Sequence, residues 1–129
     1  LEGEKGFRER EQQVINELTL ESNCVVATGG GAILAPQNRA YLRERGIVIY
    51  LKASIELLLS RTSKDTNRPL LQTNNPKEKL EHLMNIREPL YENTADIIID
   101  TGHHGVRKVV LSILQAIDDY IENKWKLYT

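Results

Sequence analysis

The sequence predicts an α/β fold, a parallel sheet with helices on both faces. Three observations carry that reading. Short apolar, β-branched runs occur at 24–28 (CVVAT), 47–51 (IVIYL) and 95–100 (ADIIID). They lack the polar alternation of half-exposed strands, as strands buried on both faces do. Helix-patterned segments precede, separate and follow these runs, an order that suits strand–helix–strand units with right-handed crossovers. Three successive glycines, Gly29, Gly30 and Gly31, close the first run. Open α/β sheets bind their ligands at that end of a strand.

Each element follows from local chemistry. Phe7, Glu11, Val14, Ile15 and Leu18 recur at helical spacing, which predicts an opening amphipathic helix. The run 24–28 predicts a buried strand and a buried Cys24 thiol. Pro36 suits a first helical turn and Gly46 a stop, so a helix is expected between them. The second strand follows at 47–51. Ser54 can cap a short helix over 54–61. Residues 62–75, TSKDTNRPLLQTNN, are mostly polar and predict a mobile loop. A helix restarts with Asn75 as its N-cap, Pro76 at the first position and Glu78 as the capping-box partner. Pro89 is expected to end or kink it. After the third strand, a helix from about Val106 to Lys124 places Val109, Val110, Ile113, Leu114, Ile117 and Ile121 on one apolar face. Three strands make a narrow sheet, and the sequence opens at a helix without an initiator Met, so further strands are expected upstream.

The 129 residues suit one domain with a core. Against 18 acidic residues stand 17 basic ones, and a formal charge of −1 gives no general pull toward nucleic acid or an acidic membrane. No apolar stretch reaches the roughly 18 residues of a membrane span, and no signal-peptide pattern occurs. A single cysteine cannot form an internal disulfide, which fits the cytoplasm. The adjacent His103 and His104 have poor spacing for a shared metal, and none is expected there.

Two features can carry chemistry. Glycines 29–31 let a ligand approach the backbone closely and offer it N–H groups, or they form a tight turn that needs positive φ. The second feature is the placing of arginines. Arg8 lies in the first helix, Arg61 ends the short one, Arg68 lies in the polar loop and Arg87 sits at a helix end. Arg68 and Arg87 are each followed closely by Pro and Leu. An arginine held by so stiff a backbone suits two-point recognition of a carboxylate or phosphate. A loop that carries one can close over a phosphoryl group as a lid.

The segments GFRERE, VVATGGGAIL, NRAYLRERGIVIYL, R…RPLL and REPLYENTADIIIDT, in this order and spacing, resemble shikimate kinase over nearly the whole chain. The resemblance implies a three-layer, P-loop kinase-like fold of the nucleoside monophosphate kinase type. It implies transfer of the ATP γ-phosphate to the 3-hydroxyl of shikimate, with Mg²⁺, on the route to chorismate and the aromatic amino acids. By the same resemblance, Arg8 and Arg87 match arginines that hold the shikimate carboxylate. Glu11 matches the acid that orients that region, and Gly29, Gly30 and Gly31 match the glycines whose backbone lines the shikimate pocket. Arg68 matches a lid arginine that reaches the phosphates, in a lid over 62–75, and is the catalytic candidate. Arg61 matches an arginine that stacks on adenine. His104 falls where relatives place a polar residue near the nucleotide, and Val106 where some have a proline. We expect a cytoplasmic monomer whose partners are shikimate and ATP, without nucleic acid or membrane.

The chain departs from the family pattern at one place. The family's first strand, its P-loop and the aspartate that faces the reacting hydroxyl lie upstream, and G-x-x-x-x-G-K-[ST] does not occur in these residues. We therefore expect residues 1–129 to form one domain, the C-terminal three quarters or so of a kinase, without activity by itself. The alternatives are a kinase-like domain that binds a small carboxylate or a partner without chemistry, and a kinase of this fold for another small hydroxy acid such as gluconate.

Overall fold

A computed structural model describes residues 3–62, 75–102 and 104–127. Its elements are α1 (Gly3–Leu18), a 3₁₀ turn (Gly30–Leu34), α2 (Pro36–Arg45), β1 (Ile49–Lys52), α3 (Ile55–Thr62), α4 (Pro76–Thr94), β2 (Ile97–Asp100) and α5 (Val106–Lys126). The chain divides into two compact units, Leu1–Val48 with Arg87–Asp96, and Ile49–Ile86 with Ile97–Thr129. Arg68, the interior of the loop expected over 62–75, and His103 lie outside the described residues.

In the first unit, α1 packs on α2 and both meet the 3₁₀ turn. Ile15, Ala32 and Ile33 are its buried apolar side chains. Polar side chains then fix the turn. Asn38, only 1% exposed, donates from Nδ2 to the Ala32 carbonyl at 3.0 Å. Arg39 donates to the carbonyls of Ile33 and Leu34 at 2.7 and 3.1 Å. A short 3₁₀ segment leaves carbonyls without backbone donors, and these two side chains supply some of them. Arg45 serves the end of α1 in the same way, donating to the Asn16 carbonyl, Asn16 Oδ1 and Thr19 Oγ1 while its guanidinium stacks on Tyr41.

In the second unit, β1 and β2 pair in parallel with Ile49 opposite Ile97 and Lys52 opposite Asp100. Thr101 extends the pairing, its N–H and hydroxyl both reaching the Lys52 carbonyl. Ser54 caps α3 through Oγ, which accepts from the Leu57 N–H at 3.1 Å. Asn75 and Glu78 form the expected reciprocal cap of α4. The Glu78 N–H donates to Asn75 Oδ1, and Asn75 Nδ2 donates to Glu78 Oε2. α5 packs on β2.

Three expectations fail. Residues 24–28 form no strand, Val25 is 97% exposed and the Cys24 thiol is exposed. A strand exists only where a neighbour takes up its N–H and C=O groups, and no described residue pairs with this run. The sheet among the described residues is therefore a pair, not three strands. On α5, Val109, Ile113 and Ile117 are half-buried, whereas Val110, Leu114 and Ile121 are exposed. Two strands are too narrow to cover the whole apolar face. Of the two outcomes expected at Pro89, an end or a kink, the end does not occur, since α4 runs on to Thr94. Proline forfeits one hydrogen bond and crowds the preceding turn, yet the five residues after it stay helical.

Candidate functional site

The site lies in the first unit and is built on the glycines. Neither Gly30 nor Gly31 has positive φ, so a left-handed turn is not the reason for glycine here. Space is the reason. A Cβ placed on Gly31 would lie 2.8 Å from Cζ of Arg8. On Gly30 it would lie 2.9 Å from the Tyr91 hydroxyl and 3.3 Å from Nη1 of Arg87. On Gly29 it would meet only Glu11 Oε2, at an ordinary 3.9 Å. Side chains from two helices thus crowd the turn so closely that a side chain at position 30 or 31 would displace them.

α1 supplies the first group. Arg8 and Glu11 are one helical turn apart, and Arg8 Nη1 donates to Glu11 Oε1 at 2.9 Å. Glu11 is well shielded, its side chain 13% exposed. The exposed Glu4 carboxylate stands farther off, at 4.0 Å from Arg8 Nη2. The Glu11 bond holds the guanidinium in one orientation and leaves other N–H donors for a ligand.

α4 supplies the second group. Arg87 is half-buried, and no ion pair forms to it among the described residues. Four residues on, Tyr91 donates from its phenol to the Gly30 carbonyl at 2.8 Å. Residues four apart lie on one face of a helix. Tyr91 is the residue that the sequence reading misses. Its signal is the spacing Arg87–Tyr91, which becomes legible only if the helix continues through Pro89.

The expected acceptor-side residues Arg8, Glu11, Gly29, Gly30, Gly31 and Arg87 are therefore brought together. Arg61 and His104 belong to the other unit. Arg61 is exposed in the last turn of α3, and His104 is exposed between β2 and α5, its N–H on the Thr101 carbonyl. Val106 is 82% exposed. Among the described residues no three His, Cys, Asp or Glu side chains gather as a metal site.

Two guanidinium groups that converge on a bare backbone turn suit a small anion, above all a planar carboxylate. The family profile for shikimate kinase matches residues 1–118. A shikimate kinase of Methylococcus capsulatus is 51% identical over 117 residues, which cover 91% of this chain and 65% of that protein. One from Thioalkalivibrio sulfidiphilus is 54% identical over 112 residues, covering 87% of this chain and 59% of the relative. The chain thus spans about three fifths to two thirds of the length of these relatives. Among solved structures, shikimate kinase from Acinetobacter baumannii in complex with shikimate superimposes with a TM-score of 0.86 at 51% identity, over 92% of this chain and 66% of that one. Shikimate kinase from Bacteroides thetaiotaomicron gives 0.77 at 26% identity, over 93% of this chain and 70% of that one. The α/β class, with its parallel pairing and P-loop kinase fold, holds as expected. With residues 1–118 matched by the family profile and relatives about half identical over some nine tenths of its length, the chain belongs to the shikimate kinase family.

Proposed function

We propose that this chain carries the acceptor-binding part of an enzyme that transfers the γ-phosphoryl group of ATP to the 3-hydroxyl of shikimate. One observation carries the reading. Arg8 and Arg87, from two helices, meet at Gly30 and Gly31, and Arg87 has no ion-pair partner among the described residues. A half-buried cation facing bare backbone is costly unless an anion completes it. The carboxylate of shikimate supplies that anion and anchors the ring, so that the hydroxyl is held for in-line transfer. The shikimate bound to the Acinetobacter baumannii relative supports this choice of acceptor.

The nucleotide side rests on resemblance alone, with Arg61 and His104 beside the nucleotide and Arg68 as the catalytic arginine. The family implies ATP as co-substrate. Mg²⁺ likewise rests on resemblance: among the described residues no three acidic, His or Cys side chains gather, and G-x-x-x-x-G-K-[ST] does not occur in the chain. The part assigned to these residues is binding and orienting the acceptor. A monomer in the cytoplasm is our reading. No helix among the described residues is long and apolar enough to cross a membrane.

Titration calorimetry on the full-length protein tests the reading. Wild-type protein is expected to bind shikimate, and Arg87→Lys to weaken it by about 1.5–3 kcal/mol, because an ammonium cannot reproduce a planar two-point contact. Shikimate affinity unchanged by Arg87→Lys removes Arg87 from the site. Binding without ATP-dependent phosphorylation in a coupled assay favours the non-catalytic alternative.

A further inference from the structure

We propose that Tyr91 is a positioning residue for acceptor binding, whose phenol straps the glycine turn to α4 and keeps Arg87 in register with it. Three observations carry this. The Tyr91 hydroxyl donates to the Gly30 carbonyl at 2.8 Å, across 61 residues of sequence. Arg87 and Tyr91 share a face of α4 because the helix continues through Pro89. A Cβ at Gly30 would touch both the Tyr91 hydroxyl and Arg87 Nη1, so the two side chains stand over the same residue.

The physical consequence is a fixed spacing. Arg87 reaches the turn on a long side chain with several rotatable bonds, and holding such a chain in one place costs entropy. The ring of Tyr91 has far fewer. Its hydrogen bond ties the Gly30 peptide to the helix that carries Arg87, so the guanidinium need not search for the turn. Tyr91 touches the turn rather than the reacting atoms, and it acts through Arg87. This role rests on the carboxylate-binding reading above.

Tyr91→Phe removes the hydroxyl and keeps the ring. In the full-length protein we expect the KM for shikimate to rise about three- to tenfold, the loss of one ordinary hydrogen bond. kcat and the KM for ATP change less than twofold, and Tyr91→Leu, which loses the ring as well, binds shikimate no better than Tyr91→Phe. The decisive measurement is a double-mutant cycle with Arg87→Lys. If Tyr91 acts through Arg87, Tyr91→Phe costs little further shikimate affinity in the Arg87→Lys background. Fully additive losses, or an unchanged KM for shikimate in Tyr91→Phe, overturn the positioning role while wild-type binding stands. Wild-type protein that binds no shikimate overturns the functional reading and this role together.

Discussion

Gly31 faces the guanidinium of Arg8 so closely that a methyl group there would lie 2.8 Å from Cζ. The glycine is a spatial requirement, since φ at this position is not positive. An added methyl meets the far end of a flexible side chain, which can swing away. Folding then loses little, and binding loses the arginine.

That split is measurable along the turn. Gly31→Ala is expected to lower shikimate affinity roughly ten- to a hundredfold, the worth of a charge-assisted hydrogen bond of about 1.5–3 kcal/mol. Its stability should hold or rise slightly, because Gly→Ala at a compatible φ gains about 0.4–1 kcal/mol through the unfolded chain. Gly29→Ala, with 3.9 Å to its nearest atom, should bind nearly as wild type. Calorimetry and urea unfolding on the same variants check both halves, and equal affinities at positions 29 and 31 contradict the crowding argument.

Asn38 tests the support beneath the turn. Asn38→Ala leaves the Ala32 carbonyl without its 3.0 Å side-chain donor. It also removes Asn38 Oδ1, a buried acceptor with no partner among the described residues. The two effects oppose each other, so the loss should fall near 1 kcal/mol, toward the low end of the range of about 1–3 kcal/mol for an orphaned buried group. A urea midpoint equal to wild type would show that the Asn38 bond to the Ala32 carbonyl adds nothing net to stability.

For Arg68, the sequence resemblance yields a kinetic expectation. Arg68→Ala should lower kcat far more than it raises the KM for shikimate, because charge on the transferring oxygens is stabilised most in the transition state. Steady-state kinetics of the full-length protein decide it, and an unchanged kcat returns Arg68 to the solvated surface.

A polypeptide of these 129 residues alone should show no ATP-dependent phosphorylation of shikimate. It holds no G-x-x-x-x-G-K-[ST] to cradle the phosphates. Turnover in a coupled assay would require another phosphate-binding device within the chain.

Much of the local structure was legible in the sequence. The cap of α4 by Asn75, Pro76 and Glu78 is a short-range hydrogen-bonding pattern, and it forms as read. The parallel pairing of β1 with β2 follows from two apolar runs separated by helices. Arg8, Glu11, Arg87 and the three glycines were legible as one set only through resemblance, since Arg8 and Arg87 are far apart in sequence. The run 24–28 has the composition of a strand and is not one here, because composition states suitability while a hydrogen-bonding neighbour decides pairing.

The sequence by itself determined the alternation of helices and strands, the caps and the family, all properties of local pattern and order. Tertiary structure alone decided why the glycines are glycines. Whether position 31 needs room depends on Arg8 arriving from α1, and whether position 30 does depends on Tyr91 and Arg87 arriving together from α4. That joint arrival requires α4 to run through Pro89. Local propensity argues against it, and the continued helix sets Tyr91 against the Gly30 carbonyl, a contact that no short-range pattern encodes.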